Sequence, residues 1–223
     1  MRAKLSVVIP TLNAEDGLRR SLPPLAEGLQ AGLLRELTVS DGGSSDGTLQ
    51  IAEAAGAHVV SGPPSRGGQL RRGAAATGGA WILFLHADCT LPAGWTDTVL
   101  KQIDRGGPAA FRLRFDAEGL LPGLVAGWAN LRSRVFGLPY GDQGLLISRD
   151  DYEAVGGYPD IPLMEDVALA RALRGRIALL PSRVCTASEK FARDGWLRRG
   201  GGNLFRVLRY FLGADPVTLA RRY

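Results

Sequence analysis

Three times in this 223-residue chain, residues able to do chemistry stand directly after a short apolar run. The run Leu5 to Ile9 is followed by Pro10-Thr11-Leu12-Asn13-Ala14-Glu15, and the run ending at Ser40 by Asp41-Gly42-Gly43-Ser44-Ser45-Asp46-Gly47-Thr48. The third, Trp81 to Leu85, leads into His86-Ala87-Asp88-Cys89. Carboxylates and an imidazole so placed can hold a cation, accept hydrogen bonds from a nucleoside or move protons. Taken alone, the Asp41 loop is equally a β-turn with a helix cap, and a satisfied buried histidine is the lesser alternative for His86. Two more acidic sites come later. Asp142-Gln143 lies in a glycine-flanked turn before an apolar run, a candidate for ligand binding. Glu165-Asp166 opens a helical pattern, where two acids also complement the helix dipole. Arg66, Arg71 and Arg72 surround a glycine-rich approach to a helix that includes Gln69, and offer guanidinium groups to phosphate.

Such residues converge only if the runs are parallel strands, because open α/β sheets collect ligands at the carboxyl ends of their strands. The pattern predicts strands at 5–9, 37–40, 58–61, 81–85, 111–115, 144–148 and 177–180, alternating with helices. The helix beginning near Glu15 is expected to bend or split at Pro23-Pro24. Asp46 is expected to cap a helix over 47–55, and further helices are expected over 69–77, from Pro92 to about Asp104, over 165–173 and over 202–212. Residues 120–140 carry Leu, Trp128 and Phe136 at helix-like spacing. One domain over 1–223 is expected, with a nucleotide-binding half (1–115), an acceptor half (116–182) and a basic helical tail (183–223).

Composition narrows the function. Apolar residues make up 45% and charged residues 22%, which excludes a disordered chain or a coiled coil. No apolar run approaches the ~20 residues of a membrane helix, and the apolar start is too short for a signal-peptide core. Cys89 and Cys185 lack zinc-site spacing and cannot form a disulfide framework, so the cytoplasm is the expected location. Net charge is +5, yet residues 183–223 hold nine Lys/Arg against three Asp/Glu, leaving the first 182 residues near neutral. A basic tail on a neutral body argues against a nucleic-acid groove and for an anion site or a membrane surface. Phe205, Leu208, Phe211 and Leu212 recur at helical spacing there, with Arg198, Arg199, Arg206 and Arg209 supplying charge. The tail is expected to pack on its own domain as a lid, or to form a homodimer contact, with Arg or Lys near a diphosphate. Peripheral attachment at the inner face of the membrane is the alternative.

The segments VVIPTLNAE, SDGGSSDGT, ILFLHADCTLP and MEDVALARAL, in that order and spacing, resemble the landmarks of family 2 glycosyltransferases, which have the GT-A fold. Within that family, Arg66-Gly67-Gly68-Gln69, LHADCTLP, Gly141-Asp142-Gln143-Gly144 and the ending GADPVTLARRY are similar to a small bacterial subgroup of arsenosugar-type, radical-SAM/selenodomain-associated transferases. The resemblance implies a Rossmann-like, mostly parallel sheet flanked by helices. It implies a nucleotide-sugar site around Pro10, Thr11, Asn13, Glu15, Asp41, Arg66, Gln69, His86, Ala87, Asp88, Asp142 and Gln143, with Asp41 on the base or ribose. His86-Ala87-Asp88 replaces the family's Asp-x-Asp, so Asp88, with His86 as a possible second ligand, would hold Mn2+ or Mg2+ on the donor diphosphate. Asp166 would be the catalytic base, with Glu165 as second choice. Where relatives carry an Arg-Arg pair, this chain reads Ser188-Glu189-Lys190-Phe191, so a diphosphate contact falls to Lys190 or Arg193, or is lost. The implied activity is inverting, metal-dependent transfer from a nucleotide sugar, a UDP-sugar first, to a small or lipid-linked acceptor. A nucleotidyltransferase such as a pyrophosphorylase would need a basic glycine-rich loop after the first strand, which PTLNAE is not. A non-catalytic nucleotide-sugar binding module is the remaining alternative.

Overall fold

The computed structural model describes residues 4–220. Its first half alternates as expected: β1 (Leu5–Thr11), α1 (Glu15–Ser21), α2 (Leu25–Gln30), β2 (Leu34–Asp41), α3 (Thr48–Ala54), β3 (His58–Ser61), α4 (Arg66–Ala75) and β4 (Trp81–Phe84). Then come β5 (Cys89–Thr90), α5 (Trp95–Arg105), β6 (Ala109–Phe115), α6 (Leu120–Phe136), a 3-10 turn (Gly141–Gln143) and β7 (Leu145–Ser148). The chain continues through α7 (Arg149–Ala154), α8 (Glu165–Ala172), β8 (Ala178–Thr186), α9 (Glu189–Asp194), α10 (Trp196–Phe211) and α11 (Pro216–Ala220). Pro23 and Pro24 separate α1 from α2, since the second proline removes an amide from the ladder.

All eight strands join one sheet in the order β3-β2-β1-β4-β7-β6-β8-β5. It is parallel from β3 through β4, β7 runs antiparallel to both neighbours, β6 and β8 are parallel, and β5 is an antiparallel edge. The sheet therefore crosses residue 115 without a break. Leu5, Val7 and Ile9 of β1 enter one apolar layer with Leu18, Leu25, Trp95 and Phe111, while Val8 enters the other with Leu70, Ile82, Phe84 and Leu169. A strand covered on both faces must read as a continuous apolar run, which is why β1 is legible. In α4, Gly73 lets the helix close on β1, because a Cβ there would come within 2.4 Å of Val8 Cγ1.

β2, α4 and β6 each begin two or three residues before the expected start, and two further extents differ for physical reasons. β8 runs to Thr186, past Pro181, because the β6–β8 register skips between Ala110 and Arg112, and a proline fits at such an irregularity. The tail helix α10 begins at Trp196, earlier than the amphipathic pattern suggested, and carries Gly200, Gly201 and Gly202 within it. It packs on α6, α9 and α11, with Val207 buried against Leu163, Met164, Val167 and Leu219. Residues 1–3, and 221–223 at the end of the GADPVTLARRY segment, lie outside the described residues.

Candidate active site

The loops after β1 and β2 are knotted together at the carboxyl edge of the sheet. Thr11 Oγ1 and Ser44 Oγ donate to Asp41 Oδ1 (2.9 and 2.5 Å), and the Gly43 and Ser44 amides donate to Oδ2 (2.7 and 2.8 Å). Burial alone would raise the Asp41 pKa, but these donors outweigh it and hold the carboxyl below the usual range. With four bonds already accepted, Asp41 organises the loop. Asn13, at φ +48°, accepts from the Ser45 amide through Oδ1 (2.9 Å). Glu15 accepts from the Gly47 amide (3.0 Å) and from Arg19 (2.8 Å). Asp46, expected to cap α3, stands one residue before the N-cap Gly47, its Oδ1 accepting from the Thr48 amide (3.0 Å).

Above this knot lies a groove of about 620 Å³, lined by Pro10, Thr11, Asn13, Glu15, Arg66, Gln69, His86, Ala87, Asp88 and Lys190 among others. Gln69 commits its amide to the framework: Nε2 donates to Thr11 O (2.7 Å) and Ser40 O (3.1 Å), and Oε1 accepts from the Ser65 amide (3.2 Å). It is a staple between strand ends that forms part of the wall. Arg72 likewise donates to Asp41 O (3.0 Å), and of the three arginines expected near phosphate, Arg66 alone lines the groove.

A second, inner pocket of about 120 Å³ opens from the same place and shares Arg66, His86, Asp88, Ala187 and Lys190 with the groove. Its far wall carries Tyr140, Gly141, Asp142, Glu165 and Asp166. The 3-10 turn and α8 are tied together there, since Asp166 Oδ2 accepts from the Gly141 amide (3.0 Å) while Oδ1 accepts from the Val167 amide (2.7 Å). Gly141 has to be glycine, because a Cβ would sit 2.3 Å from His86 Nε2. Burial, then the Arg66 charge, lowers the His86 pKa to about 4 against the opposing pull of Asp88 and Asp166, so its imidazole is neutral at pH 7. Burial raises Asp142 to about 6, with Asp88 and Asp166 adding to the shift and Arg132 and Arg66 opposing it. Glu165, 1% exposed, is raised to about 7 by burial and by Asp166, against Arg66, whose Nε lies 3.6 Å from Glu165 Oε1. One oxygen each of Asp142 and Glu165 is buried without a hydrogen-bond partner.

Gln143 is not at the site. It is wholly buried, donating to Phe111 O (3.0 Å) and accepting from Ser133 Oγ (2.7 Å), which corrects its expected ligand contact: it anchors the turn that presents Asp142. Lys190, and not Arg193, reaches the cavities. The Ala187 amide donates to Asp88 O (3.2 Å), bringing Lys190 Nζ to 4.0 Å from Asp88 Oδ2, whereas Arg193 is exposed and paired with Asp194 (2.8 Å). Arg199, Asn203 and Arg206 of α10 complete the inner wall. The tail pattern placed basic side chains near a diphosphate but did not single these out, because helix phase against the sheet is not written in the sequence.

A divalent cation is compatible with this donor set. No three His, Cys, Asp or Glu side chains cluster as a metal cage among the described residues. Asp88 is partly exposed where the cavities meet, beside a neutral imidazole and the orphaned Asp142 oxygen. A hard cation bound through one carboxylate and diphosphate oxygens needs no protein cage.

Residues 6–124 match the family model described as glycosyl transferase family 2. Glucosyl-3-phosphoglycerate synthase of Mycobacterium tuberculosis is 38% identical over 100 residues, 40% of this chain and 30% of that protein. The structure of that synthase with Mn2+, UDP and glucosyl-3-phosphoglycerate superposes with a TM-score of 0.56 at 24% identity, covering 83% of this chain and 70% of that one. Staphylococcus aureus TarS 1–349 in complex with UDP superposes at 0.65 with 19% identity, covering 85% and 62%. Both likenesses show a common fold, and the aligned segment spans less than a third of the curated relative's length. Since the family model takes in more than half of the chain, from β1 into α6, the chain belongs to glycosyl transferase family 2.

Proposed function

We propose that the chain transfers a glycosyl group from a nucleotide sugar to the hydroxyl of a small acceptor, with inversion, using a divalent cation held at Asp88. The observation that carries this reading is the junction of the two cavities: a groove roomy enough for a nucleotide sugar meets a small inner pocket at Arg66, His86, Asp88 and Lys190. The donor would lie in the groove over the Thr11–Asp41 knot, its diphosphate directed at Asp88, Arg66 and Lys190. Bound there, Mn2+ or Mg2+ would neutralise the charge that develops on the leaving nucleoside diphosphate. The acceptor would enter the inner pocket, where Asp166, fixed by the Gly141 amide, removes its hydroxyl proton. A single base on the acceptor side suits direct displacement and hence inversion. Glu165, buried against Arg66, sets that arginine's position.

UDP-glucose is the first donor to try, since the related synthase has been crystallised with Mn2+ and UDP-glucose. The basic wall of Lys190, Arg199 and Arg206 suits an anionic acceptor, and phosphoglycerate, found bound to that synthase, is the first candidate. A lipid-linked acceptor is the second. The test is UDP release from UDP-glucose with Mn2+, with and without phosphoglycerate, alongside a panel of other nucleotide sugars. Turnover of one donor, with inverted configuration in the product, is the expected result. Tight binding of a nucleotide sugar without turnover of any would leave a non-catalytic binding module.

A further inference from the structure

Large apolar side chains on the outside of this molecule are concentrated in one place. Of the 17 exposed large hydrophobic residues among those described, 12 lie on α6 and α10. On α6 they recur as Leu120, Leu124, Trp128, Leu131 and Val135, a stripe along one helix face. On α10, Leu197, Leu204, Phe205, Leu208 and Phe211 make a second stripe, while Val207, off that stripe, is buried in the core. The two stripes join, because Gly200 packs toward Val125, and Trp128 and Leu204 border the same small cavity. Scattered surface leucines are ordinary, but a contiguous two-helix face of this size marks an interaction site.

Charge selects the occupant. Neither 120–136 nor 196–211 contains an Asp or Glu, and Arg134, Arg198 and Arg209 stand among or beside the apolar residues. A two-fold homodimer through this face would set these arginines against their own copies with no acid to pair them. An anionic bilayer offers both an apolar interior and negative headgroups, and a tryptophan at the boundary suits it. α10 is 16 residues long, and α6 adds the exposed Trp128 to the face.

We infer that the joined outer face of α6 and α10 docks the protein onto an anionic lipid surface. Docking would leave the inner pocket clear of the bilayer, because Arg199, Asn203 and Arg206, which line it, lie on the face of α10 opposite the exposed stripe. The inference goes beyond the transfer reading and stands whether or not that reading holds.

The test is co-sedimentation with vesicles of phosphatidylglycerol and phosphatidylcholine, against phosphatidylcholine alone, at low and physiological salt. The wild type is expected to pellet with the anionic vesicles at both ionic strengths, more weakly at the higher one, as screening requires. The double variant Phe205→Glu/Leu208→Glu is expected to stay in the supernatant while keeping the wild-type melting temperature and UDP binding. Arg134→Gln/Arg198→Gln is expected to lower the vesicle partition coefficient about 30-fold, two charges at about 1 kcal/mol each. Failure of the wild type to pellet with anionic vesicles at physiological salt, or pelleting by the glutamate variant equal to the wild type, would overturn the inference. So would a dimer in solution that the glutamate variant breaks, without vesicle binding by the wild type.

Discussion

Adjacent carboxylates at the inner pocket differ through their surroundings. Asp166 has both oxygens held by backbone amides and faces the cavity, whereas Glu165 is buried with one oxygen unsatisfied and its pKa raised to about 7. The first arrangement fixes the carboxyl group in place, and the second favours a proton on the carboxyl. Asp166→Asn is therefore expected to lower transfer by ~10²-fold or more while donor affinity, read by titration calorimetry, stays near wild type. A larger loss of transfer in Glu165→Gln than in Asp166→Asn would move the base by one residue. Glu165 also makes a claim about stability. Its folded pKa lies above the unfolded value near 4.5, so its contribution is fully present below pH 4.5 and is lost as pH rises through about 7. The melting temperature of Glu165→Gln minus that of wild type is thus expected to be larger at pH 8 than at pH 5, measured without metal. A difference that is flat or reversed with pH would refute the assignment.

At the scale of elements, the 3-10 turn matters more than its three residues suggest. Gln143 bonds to β6 through Phe111 O and to α6 through Ser133, so the turn that carries Gly141 and Asp142 is hung from two elements. Gln143→Ala leaves those groups buried and unpaired, which costs about 1–3 kcal/mol. Chemical denaturation should show that loss, and transfer should fall more than donor affinity, because the groove knot does not depend on the turn. The sequence shows that GDQG is special but not which way each side chain points: Asp142 turns into the pocket and Gln143 into the core. Residue type alone does not separate these roles, since a loop's internal hydrogen bonds, such as those of Asp41 and Gln69, use the same residue types that bind nucleotides. β1, β3, α6 and α8 were legible from apolar runs or periodicity. β5 and α9 are too short to show a period, and Pro181 hid the length of β8.

For the whole molecule, one sheet gathers residues far apart in sequence. β1, β2 and β4 deliver the Thr11, Asp41 and Asp88 segments along one edge, and the antiparallel β7 lets the turn before it bring Asp142 to the same place. The tail then closes the inner wall with α10 and supplies Lys190 just ahead of it. All of these meet at Asp88, and the proposed chemistry stands or falls there. The most direct measurement is therefore thermal stabilisation by UDP-glucose with and without Mn2+, in wild type and in Asp88→Asn. With donor at 100 times its dissociation constant, wild type with Mn2+ should gain about 2.7 kcal/mol of stability, with most of that gain lost without the ion and in Asp88→Asn. Equal stabilisation of wild type with and without Mn2+, or of Asp88→Asn and wild type in its presence, would contradict the account.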